Sequence, residues 1–138
     1  MKRRGRLRIL AITLLSGIAI FIGLGIVWLR YPADATTEST RVDDHAIVSL
    51  RAGDGPPVVL LHGFTGMKEN WLLLMPHLSA QHRLIVPDLP GWGESTRLPG
   101  VDYGYAAQAE RVARFIATVS DGPVDVIGHS MGGAIAAV

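Results

Sequence analysis

Hydrophobic positions fall into two regimes along the chain. From Ile9 to Leu29 the residues are apolar or small on every side and none is charged. As a helix rising ~1.5 Å per residue, this stretch would be about 31 Å long, enough to cross a hydrocarbon core of roughly 30 Å. After a polar interval, short apolar runs alternate with amphipathic ones. HAIVSL (45–50), PPVVLLHG (56–63), HRLIVPDLPG (82–91) and PVDVIGHS (123–130) are rich in Val, Ile and Leu and end near Gly, Pro or Asp, which predicts strands. The second and third do not alternate, so burial on both faces is expected. MKENWLLLMPHLSAQ (67–81) predicts a helix with Trp71, Leu74, Met75 and Leu78 recurring on it and a kink or break at Pro76. Residues 103–122 predict a second helix, with Ala109, Val112, Ile116 and Val119 on one face and Asp121 and Gly122 ending it. A small-residue helix follows Ser130. Strands alternating with helices imply an α/β class: a mostly parallel sheet with helices on both faces and right-handed crossovers.

The same pattern divides the chain into a basic segment over 1–8, a transmembrane helix over 9–29, a linker over 30–43 and a domain over 44–138. Lys2, Arg3, Arg4, Arg6 and Arg8 precede the apolar span and only Arg30 closely follows it. This asymmetry predicts a single-pass anchor with a cytoplasmic N-terminus and the domain on the extracytoplasmic side, which in a bacterium is the periplasm. Trp28 and Tyr31 stand at the far end, where aromatic rings favour the interface. The alternative is secretion after signal cleavage near Ala35, since Ala33, Asp34 and Ala35 form an A-x-A pattern. The apolar run, however, exceeds the ~7 to 15 residues of a signal core. A buried core helix would rarely be apolar on all faces over this length. PADATTESTRVDD (32–44) is polar without apolar period and suits a linker.

Charge changes the picture once it is divided the same way. The chain carries 13 Lys and Arg against 12 Asp and Glu, a formal net charge of +1. Six of the basic residues flank the apolar span, so residues 31–138 hold seven basic against all twelve acidic groups, about −5. An acidic body without a basic stripe is a poor nucleic-acid binder. The absence of cysteine excludes disulfides, a thiolate nucleophile and Cys-based zinc sites.

The candidate chemistry lies at the ends of the predicted strands. Gly128, His129, Ser130, Met131 and Gly132 form Gly-x-Ser-x-Gly between a strand and a helix, the context in which this pattern holds a serine exposed on a sharp turn. Flanking glycines are required there because a side chain would collide with the neighbouring strand or helix. A Gly-rich turn that binds phosphate would instead want a glycine where Ser130 stands. In LLHGFTG (60–66), the turn after His62 and Gly63 lets the Phe64 N–H point toward the serine and pair with the Met131 N–H as an oxyanion hole. For His62 and His129, a structural role is preferred over that of a base. Asp88 in PDLPGWGES (87–95), followed by Pro90, Gly91 and Gly93, reads first as a turn former, and a catalytic role is disfavoured for Asp88 and for Glu94.

HGFTG, DLPGWGES and GHSMGG, in this order and spacing, resemble the serine hydrolase branch of the α/β-hydrolase fold superfamily over residues 44–138. The preceding span is similar to that of monoacylglycerol lipase-type members with an N-terminal anchor, and of their bacterial lipase relatives. The resemblance implies Ser130 as nucleophile, the backbone N–H groups of Phe64 and Met131 as oxyanion hole, Gly128 and Gly132 as elbow glycines, and no metal or other cofactor. Branches with an Asp nucleophile are disfavoured by Ser130 itself. DLPGWGES is also similar to hydrolases that cleave carbon–carbon bonds; the anchor turns the expectation toward an ester or lipid substrate.

The family order is Ser, then Asp or Glu, then His. Only MGGAIAAV follows Ser130, and it contains neither; of His45, His62, His77, His82 and His129, none stands where the fold places a base. The expectation is therefore the N-terminal part of a longer hydrolase, truncated after the elbow, with the chain alone unstable and inactive. A non-catalytic binding module on the same scaffold is a competing class, because fold does not fix function; a remnant without function is a third.

Overall fold

The structure, a computed structural model, describes residues 31–138. The basic segment 1–8 and the expected transmembrane helix 9–29 lie outside the described residues. Among those described, no helix is long and apolar enough to cross a membrane. The element order is β1 (Thr36–Val42), β2 (His45–Ala52), β3 (Pro57–Leu61), a 3-10 turn (Lys68–Trp71), α1 (Met75–Leu78), β4 (Arg83–Pro87), α2 (Tyr105–Val119), β5 (Asp125–Gly128) and α3 (Met131–Ala136).

The five strands form one sheet in the order β1-β2-β4-β3-β5. Its β4-β3-β5 half is parallel, whereas β1 with β2 and β2 with β4 are antiparallel. The mostly parallel sheet expected from the alternation is thus mixed. Parallel neighbours need a long crossover. Helical segments separate β3 from β4 and β4 from β5, but none separates β1, β2 and β3.

β1 corrects the expected linker over 30–43. Thr36–Val42 pairs residue by residue with β2, from Thr36 opposite Arg51 to Val42 opposite His45. Asp43 and Asp44 close the hairpin, with Asp43 at φ 51°, a left-handed conformation that Asp tolerates. Only Val42 of this strand is buried. An edge strand facing solvent buries too little to write an apolar period, and its β-branched threonines were the only strand signal.

Two apolar layers flank the sheet. Val59, Leu61 and Ile85 pack on one side with Val112 and Phe115 of α2 and Met131 and Ile135 of α3. Val58, Leu60, Leu84 and Val86 pack on the other with Leu72 and Met75. Successive residues of β3 and β4 therefore enter opposite layers, which is why neither run alternates. Among the described residues β5 pairs with β3 alone and leaves Val126 38% and Ile127 41% exposed.

The 67–81 stretch is broken earlier than Pro76. A 3-10 turn ends at Trp71, and Pro76 stands in the first turn of α1, where its missing N–H is no loss. In α2 the buried face is Gln108, Val112 and Phe115, with Ala109, Ile116 and Val119 packed at its margin. Gln108 is accommodated because its side-chain amide donates to the Pro90 carbonyl at 2.8 Å.

Candidate active site

Ser130 occupies the turn between β5 and α3 with φ 51° and ψ −114°, outside the helical and extended regions. Such a conformation is unfavourable by on the order of 1–3 kcal/mol and persists only where the surroundings impose it. The surroundings here are backbone. A Cβ at Gly128 would run into the peptide of Gly132 and Gly133, and a Cβ at Gly132 into the carbonyls of Leu61 and His62. The His129 N–H donates to the Leu61 carbonyl at 2.9 Å, and Gly132 N–H to the His129 carbonyl at 2.9 Å. The turn is thereby closed on itself and on the end of β3, and Ser130 stays exposed.

The segment after β3 meets it. A Cβ at Gly63 would lie 3.3 Å from that of Ser130 and 2.8 Å from His129 Nδ1, so only glycine lets the two turns approach this closely. Phe64 follows, 70% exposed. Among the described residues neither the Phe64 N–H nor the Met131 N–H donates a hydrogen bond.

His62 is fully buried and both ring nitrogens are engaged. Nδ1–H donates to the Gly63 carbonyl at 2.8 Å, and Nε2 accepts the Leu89 N–H at 2.9 Å. This pattern fits the neutral ring alone, because protonation at Nε2 would turn two N–H groups on each other. Burial holds its pKa below the ordinary 6.5, against the raising effects of the Gly63 hydrogen bond, Asp88 and Glu69. His62 is a hydrogen-bonded strut between β3 and the segment after β4.

A second connection joins the same segments and was not foreseen. Lys68 is buried, and its Nζ donates to Asp88 at 3.0 Å and Glu94 at 2.7 Å, with Glu69 at 3.0 Å. Asp88, 0% exposed, also accepts the N–H of Lys68 at 2.7 Å and of Glu94 at 2.8 Å. Burial lowers the Lys68 pKa, but the hydrogen bonds to Glu94, Asp88 and Glu69 together outweigh it and raise it. A lysine in MKENW carries no signal of burial; beyond the neighbouring Glu69, its acidic partners lie 20 and 26 residues away.

Two cavities flank Phe64. One, of about 410 Å³, is lined by His62, Gly63, Phe64, Thr65, Gly66, Asn70, Trp71 and His129. The other, of about 270 Å³, lies among Phe64, Gly91, Trp92, Arg97 and Tyr103. Trp92 meets both Phe64 and Tyr103 edge-on, with centroids 6.3 and 6.2 Å apart. A larger cavity of about 670 Å³ is lined by β1, β2 and the end of α2, with no member of the two turns. The structure brings Ser130, Gly63 and His129 together. Among the described residues no histidine or carboxylate hydrogen-bonds the Ser130 hydroxyl, and no cluster of metal-binding side chains occurs.

Several known proteins are similar to this chain. A magnesium-chelatase 30 kDa subunit from Rhodobacter capsulatus is 39% identical over 93 residues, 67% of this chain and 33% of that protein. A 2-hydroxy-6-oxo-2,4-heptadienoate hydrolase from Pseudomonas putida is 38% identical over 86 residues, 60% of this chain and 31% of that protein. Lipase 1 from Psychrobacter immobilis is 42% identical over 82 residues, 59% of this chain and 26% of the lipase. The crystal structure of a membrane phospholipase A, a bacterial virulence factor, superposes with a TM-score of 0.77 at 33% identity, covering 99% of this chain and 46% of that one. The chain thus spans about a third of the length of its curated relatives. The family model of the α/β hydrolase fold matches residues 56–138, which include the strand ends and both turns described above, and the chain accordingly belongs to the α/β-hydrolase fold family.

Proposed function

We propose that Ser130 is the nucleophile of a serine hydrolase acting on carboxylic esters of lipid type. The observation that carries this reading is the exposed serine held at φ 51° where β5, α3 and the Gly63 turn converge. Its Oγ attacks the ester carbonyl, and the oxyanion accepts hydrogen bonds from the Phe64 and Met131 N–H groups, neither of which is otherwise engaged among the described residues. Collapse expels the alcohol and leaves an acyl group on Ser130, which water then removes. The similarity to a lipase and a membrane phospholipase A supports a lipid ester. The apolar span over 9–29 and its basic flank support an anchor that holds the domain beside the membrane on its extracytoplasmic face.

Proton transfer needs an acid and a base that MGGAIAAV does not supply, and a serine hydroxyl without a base is a poor nucleophile at neutral pH. Residues 1–138 alone are therefore expected to be inactive. The protein expressed from its native reading frame should react with a fluorophosphonate probe, and Ser130→Ala should abolish labelling; a folded protein that never labels rejects the assignment. Carbon–carbon bond hydrolysis is the second reading, favoured by the Pseudomonas putida relative. Turnover of a vinylogous β-diketone without turnover of p-nitrophenyl esters would decide for it.

A further inference from the structure

We infer that Lys68 is a positioning residue for the loop that presents the Phe64 N–H to the oxyanion, an inference that rests on the serine hydrolase reading above. The loop leaves β3 at His62 and enters the 3-10 turn at Lys68, and its two ends are fastened to adjacent residues after β4, Leu89 and Asp88. His62 Nε2 accepts the Leu89 N–H at 2.9 Å, and Lys68 holds Asp88 through its N–H at 2.7 Å and its Nζ at 3.0 Å. Between these points the hydrogen bonds are local to the loop and the 3-10 turn. Thr65 stands at φ 58°, the Gly63 carbonyl accepts from His62 Nδ1–H at 2.8 Å and the Gly66 N–H at 3.0 Å, the Met67 N–H donates to Asn70 Oδ1 at 2.7 Å, and the exposed Phe64 side chain packs edge-on against Trp92. The position of the Phe64 N–H therefore depends on the two fastenings.

They differ in how they fail. Removing His62 would leave one N–H unpaired, whereas removing the Lys68 ammonium would leave Asp88 as a fully buried carboxylate beside Glu94 and Glu69 with no cation. The uncompensated Asp88 carboxylate is then drawn toward water, and the Lys68 N–H whose hydrogen bond it accepts moves with it. A donor displaced by about 1 Å from the oxyanion loses up to ~10²-fold in rate.

The test uses the protein from its native reading frame, with p-nitrophenyl butyrate as substrate and an alkylboronic acid whose adduct on Ser130 carries a tetrahedral oxyanion. Lys68→Met should lower kcat roughly ten- to a hundredfold with little change in KM, and weaken boronate binding in parallel. Lys68→Arg should recover part of both, and Glu94→Gln, which keeps the buried Lys68–Asp88 pair, should show the same parallel losses to a smaller extent. If Lys68→Met does not fold, Glu94→Gln decides. A folded variant with unchanged kcat, or with a kcat loss that boronate affinity does not follow, overturns the inference. A wild-type protein that neither turns over the ester nor labels at Ser130 instead rejects the hydrolase reading, and this inference with it.

Discussion

The two turns that meet at Ser130 are held by opposite means. The turn after β5 is fixed by backbone crowding: Gly128 lies against α3 and Gly132 against the end of β3, and no charged side chain takes part. The loop after β3 is fixed by polar side chains, His62 on Leu89 and Lys68 on Asp88 and Glu94. Crowding is a local arrangement that glycine spacing records. A polar clamp is a long-range arrangement whose partners come from different segments, and nothing in either segment alone requires the other. The first resists proton and salt, while the second depends on both.

The largest expected effect tests the clamp. Lys68→Met leaves the Asp88 carboxylate buried and unpaired, a change that destabilises by about 3–5 kcal/mol, read from urea unfolding. Gly132→Ala tests the crowding; overpacking against β3 destabilises by about 1–3 kcal/mol. If Gly132→Ala proved the more damaging by a clear margin, the ranking of charge over crowding would be wrong.

Acidification should separate the turns next. His62 has a folded pKa below 6.5, from burial first, and so does His45, from burial and then Arg111. The unfolded chain binds these protons near pH 6.5 while the folded chain still excludes them. Their contribution is therefore fully present above pH 6.5 and is lost as pH falls toward the folded values, at up to about 1.4 kcal/mol per unit for each proton. Amide exchange at Leu89 should accelerate between pH 7 and pH 5.5 after correction for the intrinsic pH dependence, and that at Gly132 should do so less. Equal acceleration would mean that the two turns open together.

The smallest effect has the opposite sign. Ser130→Gly accepts φ 51° without a Cβ and should stabilise by roughly 0.5–1 kcal/mol while abolishing fluorophosphonate labelling. No gain in thermal midpoint would show that the turn stores little strain.

Much of this was legible in order along the chain. The apolar runs of β2 to β4 and the period of α2 are burial patterns, and burial on two faces accounts for the unbroken Val, Ile and Leu of β3 and β4. β1 was not legible, because a polar edge strand with one buried residue looks like a linker until its partner is known. Gln108 and Phe115 were missed on α2 because the expected face was drawn through the smaller residues, and a glutamine enters a core only where a carbonyl such as that of Pro90 is waiting. The hairpin and the antiparallel pairing of β2 with β4 were invisible to a reading based on alternation.

The sequence by itself determined the position of the serine turn, since Gly-x-Ser-x-Gly between a strand and a helix is a local steric requirement written in neighbouring residues. It likewise set the acidic balance of residues 31–138 and the two-sided burial of the central strands. Only the tertiary structure decided that a polar stretch pairs as an edge strand, that Asp88 is a buried anchor as well as a turn former, and that Lys68 lies inside. Those outcomes depend on hydrogen bonds and ion pairs between residues far apart in the chain, whose partners exist only once the strand ends have been brought side by side.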